Sequence, residues 1–401
     1  MPAQNAHGAT DGPRTSSNGR GGPAAPGFRA DQRPLSASDT GSPSREVVED
    51  ICGRAVDGHP PTTEELERLL RIGSSESAEP LFGAARELRR RHFGDAVFLY
   101  GFVYFSTYCR NRCAFCLYRN GNEASPRYRK SQDEVVAICR DLAASDVNLL
   151  DLTMGEDPLT HDSGDYRPLF EMIAAVREET DLPIMISPGV VPDEALQAMR
   201  AAGADFYACY QETHTRALYE RLRVGQDYRE RAVARDNARG AGLLVEDGML
   251  TGVGDSVADR ARSIDTMRRD GDDQVRIMTF VPQTGTPMSN VSMPSCFNEL
   301  LAIAAMRLAM PEAFSPASLD VEGFAGLKPR LDAGANVVTS IVPPRTGLCG
   351  VSNSELDVEE GRRTAAAVRE ALAPIGLRQA TNDEFGAWIA STLARRAEQV
   401  A

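Results

Sequence analysis

The sequence predicts an α/β protein, an eight-stranded (β/α)8 barrel of the TIM type preceded by a helical extension and a disordered N-terminal tail. Three observations carry that reading. Eight short β-rich runs follow one another along the chain, segments of helical period separate them, and 401 residues with 42% hydrophobic content suffice for one large core.

The tail covers residues 1–45. It is rich in Gly, Pro, Ser, Ala and Arg, and such a segment cannot bury enough apolar surface to offset the entropy of ordering. Residues 46–95 form a helical cap. Within it Thr62 and Glu65 make a capping box ahead of Leu66, Leu69 and Leu70, and Gly73 stops the helix. A second helix is expected over 79–91. The barrel spans 96–375, with strands at 98–106, 149–154, 184–187, 206–210, 242–252, 275–281, 317–321 and 336–342. Helices fall at 135–144 (capped by Ser131 and Glu134), 167–179, 194–202, 215–223, 229–240, 255–269, 297–308, 327–331 and 357–372. Residues 376–401 are a C-terminal extension. An open barrel of six units with the last two packed alongside is the competing topology.

Charge and composition exclude several roles. A formal net charge of −13 argues against nucleic-acid binding, which needs a basic footprint. The longest apolar runs are too short for a membrane span, and no secretory signal pattern opens the chain. Eight cysteines without such a signal point to a reducing cytoplasm.

Three of those cysteines are Cys109, Cys113 and Cys116, in the segment that directly follows the first strand. The βα loops at that end of a barrel build active sites. A CxxxCxxC loop can wrap three corners of an iron–sulfur cubane with soft thiolates, leaving the fourth iron open. Zinc would need a fourth ligand, and the nearest histidines in sequence are His92 and His161.

With aromatic Phe115 before the third cysteine, this motif resembles the signature of the radical S-adenosylmethionine (SAM) superfamily. The resemblance implies a [4Fe–4S] cluster and SAM as cofactors. It also implies SAM contacts from Glu156 in the Gly155–Glu156 element, from Glu212 with Arg231, and from Ser187 at the end of the third strand. The run 252–255 (GVGD) resembles the superfamily's glycine-rich fifth-strand loop. Biotin synthases carry a further cluster cysteine on that strand, where this chain has Glu246.

Four longer segments are similar to the methylornithine synthase family of pyrrolysine biosynthesis: 100–109 (YGFVYFSTYC), 127–131 (RYRKS), 151–158 (DLTMGEDP) and 316–323 (PASLDVEG). That family isomerises L-lysine to 3-methylornithine by radical-initiated fragmentation and recombination. The resemblance implies substrate contacts from Asp151, Arg276, Ser318 and Asp320. Charge agrees, because free lysine carries one carboxylate and two ammonium groups, and one Arg with two Asp would complement them. The same three charged residues could instead pair with one another as a structural network. A radical SAM enzyme for a different amino acid, or a non-catalytic iron–sulfur protein of the same fold, also fits the motifs.

Between Arg110 and Lys130 stand Arg110, Arg112, Arg119, Arg127, Arg129 and Lys130 against one acid, Glu123. Such a patch beside the cluster is expected either to dock an acidic electron donor, flavodoxin or ferredoxin, or to neutralise and solvate the loop.

Overall fold

The computed structural model describes residues 41–352, 356–357 and 362–400. Of the expected tail, residues 1–40 lie outside the described residues, as does part of the segment expected to open the helix at 357. Three helices come first: α1 (Arg45–Val56), α2 (Thr63–Leu70) and α3 (Ser75–Phe93). The expected capping box of α2 is present, with Thr62 N donating to Glu65 Oε2 at 2.9 Å and Glu65 N to Thr62 Oγ1 at 3.3 Å. Among the described residues no helix is long and apolar enough to cross a membrane.

The strands are β1 (Ala96–Ser106), β2 (Leu149–Met154), β3 (Ile184–Ser187), β4 (Phe206–Ala208), β5 (Leu244–Thr251), β6 (Gln274–Thr279), β7 (Pro316–Ser318), β8 (Val337–Ile341) and the two-residue β9 (Arg378–Gln379). Eight of them form one parallel sheet in the order β6-β5-β4-β3-β2-β1-β8-β7, and β9 adds to the start of β1. The six-unit alternative is therefore wrong, because β7 and β8 join the same sheet on the far side of β1.

The ring closes at its base. Gln274 bridges Phe314, Val275 N donates to Phe314 O at 2.9 Å, and Phe314 N donates to Asp273 O at 2.9 Å. Toward the mouth side chains join β6 to the helices that follow β6 and β7. Glu299 accepts from Thr279 N at 3.0 Å and Thr279 Oγ1 at 2.5 Å, while Arg330, on the helix Gly323–Asp332 after β7, grips the same carboxylate at 2.5 and 3.1 Å.

Strand alternation then gives the barrel wall an outer and an inner apolar layer. Val97, Leu99, Leu150, Leu152, Ile184, Ile186, Val245, Val275 and Ile277 point outward and pack under the helices. Phe98, Tyr100, Leu149, Met185, Phe206, Leu244 and Val337 point inward and fill the lower barrel. The C-terminal helix (Asn382–Val400) seals this base: Trp388 stacks on Phe314 with ring centroids 3.7 Å apart, and Phe385 lies 5.4 Å from Phe98. One or two steps further along the same inward rows the residues become polar, with Asp151, Glu246 and Arg276. The apolar layer ends where the site begins.

Candidate active site

One cavity at the barrel mouth is lined by Cys109, Cys113 and Cys116, by Glu156, Ser187, Glu212 and Arg231, and by Asp151 and Arg276. The cysteine loop reaches this position through three tethers. Gly155 N donates to Ser106 O at 2.9 Å and Arg110 N to Glu156 O at 2.8 Å, joining it to the β2 loop; Ala114 N donates to Leu222 O at 2.7 Å, joining it to the helix Arg216–Leu222. Gly155 cannot carry a side chain. A Cβ there would stand 2.3 Å from Tyr108 O and 2.9 Å from Cys109 Cβ, so the close approach of the two loops needs glycine.

The three thiols suit a cluster. Burial pushes the Cys109 thiol up to about 11 and raises that of Cys116, so they become thiolates readily only when a metal centre replaces their protons. Among the described residues no group of three or more His, Cys, Asp or Glu forms a site for a single metal ion, whereas a cubane takes each thiolate on a separate iron. Cys113 Sγ also accepts from Gln226 Nε2 at 3.0 Å, the kind of donor that supports a cluster sulfur.

Next to the thiols lie two carboxylate–guanidinium pairs. Glu156 accepts from Arg231 Nη2 at 3.3 Å, from Arg110 Nε at 3.1 Å and from Val190 N at 3.2 Å. Although burial opposes it, the Arg231 guanidinium holds the Glu156 carboxyl below its usual value. Glu212 is gripped by Arg223 Nη2 at 2.6 Å, and burial outweighs this partner to raise its carboxyl. Glu212 and Arg231, expected to hold different parts of SAM, both line the cavity, and each also has its own buried partner, Arg223 and Glu156. Arg223 and Gln226 escaped the sequence reading, since no spacing pattern marks them. The Nε atoms of Arg223 and Arg231 are buried with no hydrogen-bond partner. Those donors and the flanking carboxylates fit the ribose, amino and carboxylate groups of SAM. Ser187 Oγ donates to Ala208 O at 3.3 Å and faces the same cavity. The 252–255 loop folds on itself, with Asp255 Oδ1 accepting from Gly252 N at 2.6 Å and Val253 N at 3.0 Å.

The substrate-side residues correct the expected charge complement. Arg276 is not an unpaired cation: Glu246 takes its Nε at 2.8 Å, and Tyr210 OH donates to the other Glu246 oxygen at 2.9 Å. Arg276 Nη1 donates to Thr339 Oγ1 at 3.3 Å, and Nη2 is left buried without a hydrogen-bond partner. Asp151 accepts from Thr153 Oγ1 at 2.9 Å and has no ion pair among the described residues. Burial, then the nearby Glu246 carboxylate, push its carboxyl up to about 7.

Asp320 is not exposed to the cavity as a bare anion. Arg363 Nη1 holds its Oδ1 at 2.6 Å and Ser340 Oγ donates to its Oδ2 at 2.7 Å. Ser318 Oγ lies 3.3 Å from Ser340 Oγ, so Ser318 and Asp320 reach the cavity through Ser340, which lines it. Ser340 and Glu212 both hold left-handed backbone, with φ of 67° and 68°, uncommon for residues with a side chain. The alternative in which Asp151, Arg276 and Asp320 pair with one another does not occur.

Most of the basic run serves the loop. Arg127 donates to the carbonyls of Thr107, Tyr118 and Arg119. Arg129 makes a two-toothed pair with Asp157 at 2.6 and 2.8 Å and lies over the Tyr108 ring. Arg119 donates to Cys113 O at 3.1 Å, and Lys130 to Glu134 Oε1 at 3.4 Å. Arg112 is exposed.

A parallel barrel with such a cysteine loop at its mouth defines a radical SAM enzyme, and the radical SAM superfamily model matches residues 103–267. 3-Methylornithine synthases of Methanosarcina acetivorans and Methanosarcina barkeri are each 43% identical to the chain, over 83% of it and 94% and 95% of their own lengths. A crystal structure of methylornithine synthase (PylB) superposes with a TM-score of 0.80 at 43% identity, covering 84% of this chain and 99% of that one. The chain belongs to the 3-methylornithine synthase family. Like other radical SAM enzymes it uses a [4Fe–4S] cluster and SAM.

Proposed function

We propose that the protein isomerises L-lysine to 3-methylornithine, the product its relatives are named for, as a step of pyrrolysine biosynthesis. When bound, the cluster and SAM supply a 5′-deoxyadenosyl radical to remove hydrogen from the substrate. One observation carries the lysine assignment: the unpartnered Arg276 Nη2 and the carboxyl of Asp151 line the same cavity as the three cysteines.

In this reading Cys109, Cys113 and Cys116 hold the cluster, while Glu156, Ser187, Glu212 and Arg231 hold SAM. Arg276 receives the substrate carboxylate on its open Nη2, with Glu246 fixing the guanidinium from behind. Asp151 receives an ammonium group, which returns its carboxyl to the ionised form. Ser318 and Asp320 act through Ser340, at the β8 side of the cavity. The chain's task is positional: both ends of a fragmenting substrate stay tied to charged groups while the barrel wall excludes other hydrogen donors.

We also infer that the electron arrives from an acidic donor, flavodoxin or ferredoxin, at the exposed face carrying Arg110, Arg112 and Arg129. Because Arg129 and Arg110 are committed to ion pairs, Arg112→Glu is the cleaner probe. It should slow turnover with flavodoxin and leave dithionite-driven turnover unchanged; equal loss with both reductants rejects docking there.

The lysine assignment is tested without oxygen, with reconstituted protein, SAM, dithionite and ¹³C-labelled L-lysine. A lysine isomer co-eluting with 3-methylornithine supports it. Unchanged lysine with 5′-deoxyadenosine still released would keep the enzyme class and reject this substrate.

A further inference from the structure

Gln226 bridges the two halves of the cofactor site. Its side-chain nitrogen donates to Cys113 Sγ at 3.0 Å, and its side-chain oxygen accepts from Arg231 Nη2 at 2.9 Å. Arg231 Nη2 in turn reaches Glu156 at 3.3 Å. Arg223 Nη1 stands 3.6 Å from the same sulfur and 3.5 Å from the same amide oxygen, and its Nη2 holds Glu212 at 2.6 Å. Each carboxylate of the SAM side is thus tied through one arginine to one amide, and that amide touches one cluster thiolate.

The backbone makes this possible. The helix Arg216–Leu222 ends against the cysteine loop through the Ala114–Leu222 bond, and Gly225, at a φ of 79°, turns the chain. Gln226 N donates to Arg223 O at 3.0 Å, so both side chains leave one tight turn.

We propose that Gln226 is a positioning residue with two separable jobs: its NH2 tunes the reduction potential of the cluster through Cys113, and its carbonyl orients Arg231 for SAM. A donor aimed at a cluster sulfur stabilises the more negative, reduced state and raises the potential. The amide is suited to this because it offers a donor on one side and an acceptor on the other. The proposal rests on the cluster and SAM assignments above, not on the identity of the amino-acid substrate.

The test uses the reconstituted holoenzyme and two readouts that need no turnover: potentiometric titration followed by electron paramagnetic resonance, and equilibrium binding of SAM. Gln226→Leu removes both jobs. Its midpoint should move to more negative potential, and its Kd for SAM should rise by about tenfold. Gln226→Glu keeps an acceptor for Arg231 but turns a carboxylate toward the thiolate, so SAM affinity should be retained while the midpoint still falls. Gln226 is half-buried, and iron content and thermal melting should match the parent in both variants. An unchanged midpoint in both variants overturns the tuning role. Equal weakening of SAM binding in both overturns the division of labour. Failure of the parent protein itself to bind a cluster or SAM would instead count against the assignments beneath the proposal.

Discussion

Glu246 and Arg276 face each other across neighbouring strands inside the barrel, joined at 2.8 Å, with the glutamate side chain fully enclosed. Glu246 sits on β5 in register with Gln274, so the pair is a diagonal one, reaching to the next inward position of β6. Gly248, directly beside Arg276 in that register, leaves room for it; a Cβ there would lie 3.2 Å from Arg276 Cβ.

Removing the Glu246 charge should therefore act on stability and on the substrate together. Glu246→Gln keeps an acceptor for Tyr210 but leaves the buried guanidinium without its carboxylate, a loss on the order of 3–5 kcal/mol for such pairs. Urea unfolding of the variant should show it, and KM for lysine should rise because Arg276 is free to turn. An unfolding curve that overlays the parent's would refute the structural part.

Asp151 should give the substrate affinity a pH dependence. With its carboxyl pushed up to about 7, the substrate-free enzyme carries a neutral Asp151 below that pH and cannot pair it with an ammonium group. The ratio kcat/KM should climb as pH rises through about 7, and Asp151→Asn should flatten that limb and lower kcat/KM by about 10- to 100-fold. The sign for the empty fold is opposite. A carboxyl raised on folding favours the native state at low pH, and that contribution is lost as pH rises from the ordinary carboxylate range through about 7. Melting temperatures of parent and Asp151→Asn across this window would separate the two.

Asp320→Ala should retain the cluster and SAM but lose methyl-branched product. It should also melt lower than the parent, because Arg363 loses the carboxylate that it holds at 2.6 Å in a site almost closed to solvent. Ser340 loses its acceptor as well. Full product formation in the variant would remove Asp320 from the substrate side altogether.

Gly155→Ala should uncouple the cysteine loop from β2. The new methyl would stand 2.3 Å from Tyr108 O, a distance that only backbone movement relieves. Iron and sulfide content after reconstitution should fall well below the parent's, while far-ultraviolet circular dichroism should stay that of the barrel. Normal iron loading would show that the loops can part without harm.

How much of this was legible beforehand follows from where the information lies. The cysteine triad, Glu156 and the Thr62 and Ser131 capping boxes are local patterns, and local patterns survive in the sequence; both boxes form as expected. Strand alternation likewise located all eight barrel strands to within a few residues. Pairing was not legible. Arg231 lies nineteen residues after Glu212, yet it bonds Glu156, seventy-five residues away, because the first turn of the helix Tyr228–Gly240 meets the loop after β2 at the barrel mouth. Glu246 drew notice only as the residue standing where biotin synthases have a cysteine, and its role depends on a neighbour thirty positions on. The C-terminal helix shows a helical period at Phe385, Trp388, Ile389 and Leu393, but nothing in that period says that its rings enter the barrel from below.

That aromatic stopper has a consequence for traffic. With Phe314, Phe385 and Trp388 stacked across the base, arrivals and departures share the mouth. The cysteine loop follows the end of β1, and Asp151 and Arg276 sit further down the strands that line the same cavity, so on the proposed reading the substrate passes the cofactor's place to reach its own. Such a layout would favour an ordered queue, with the amino acid entering before the nucleoside and its product leaving after it.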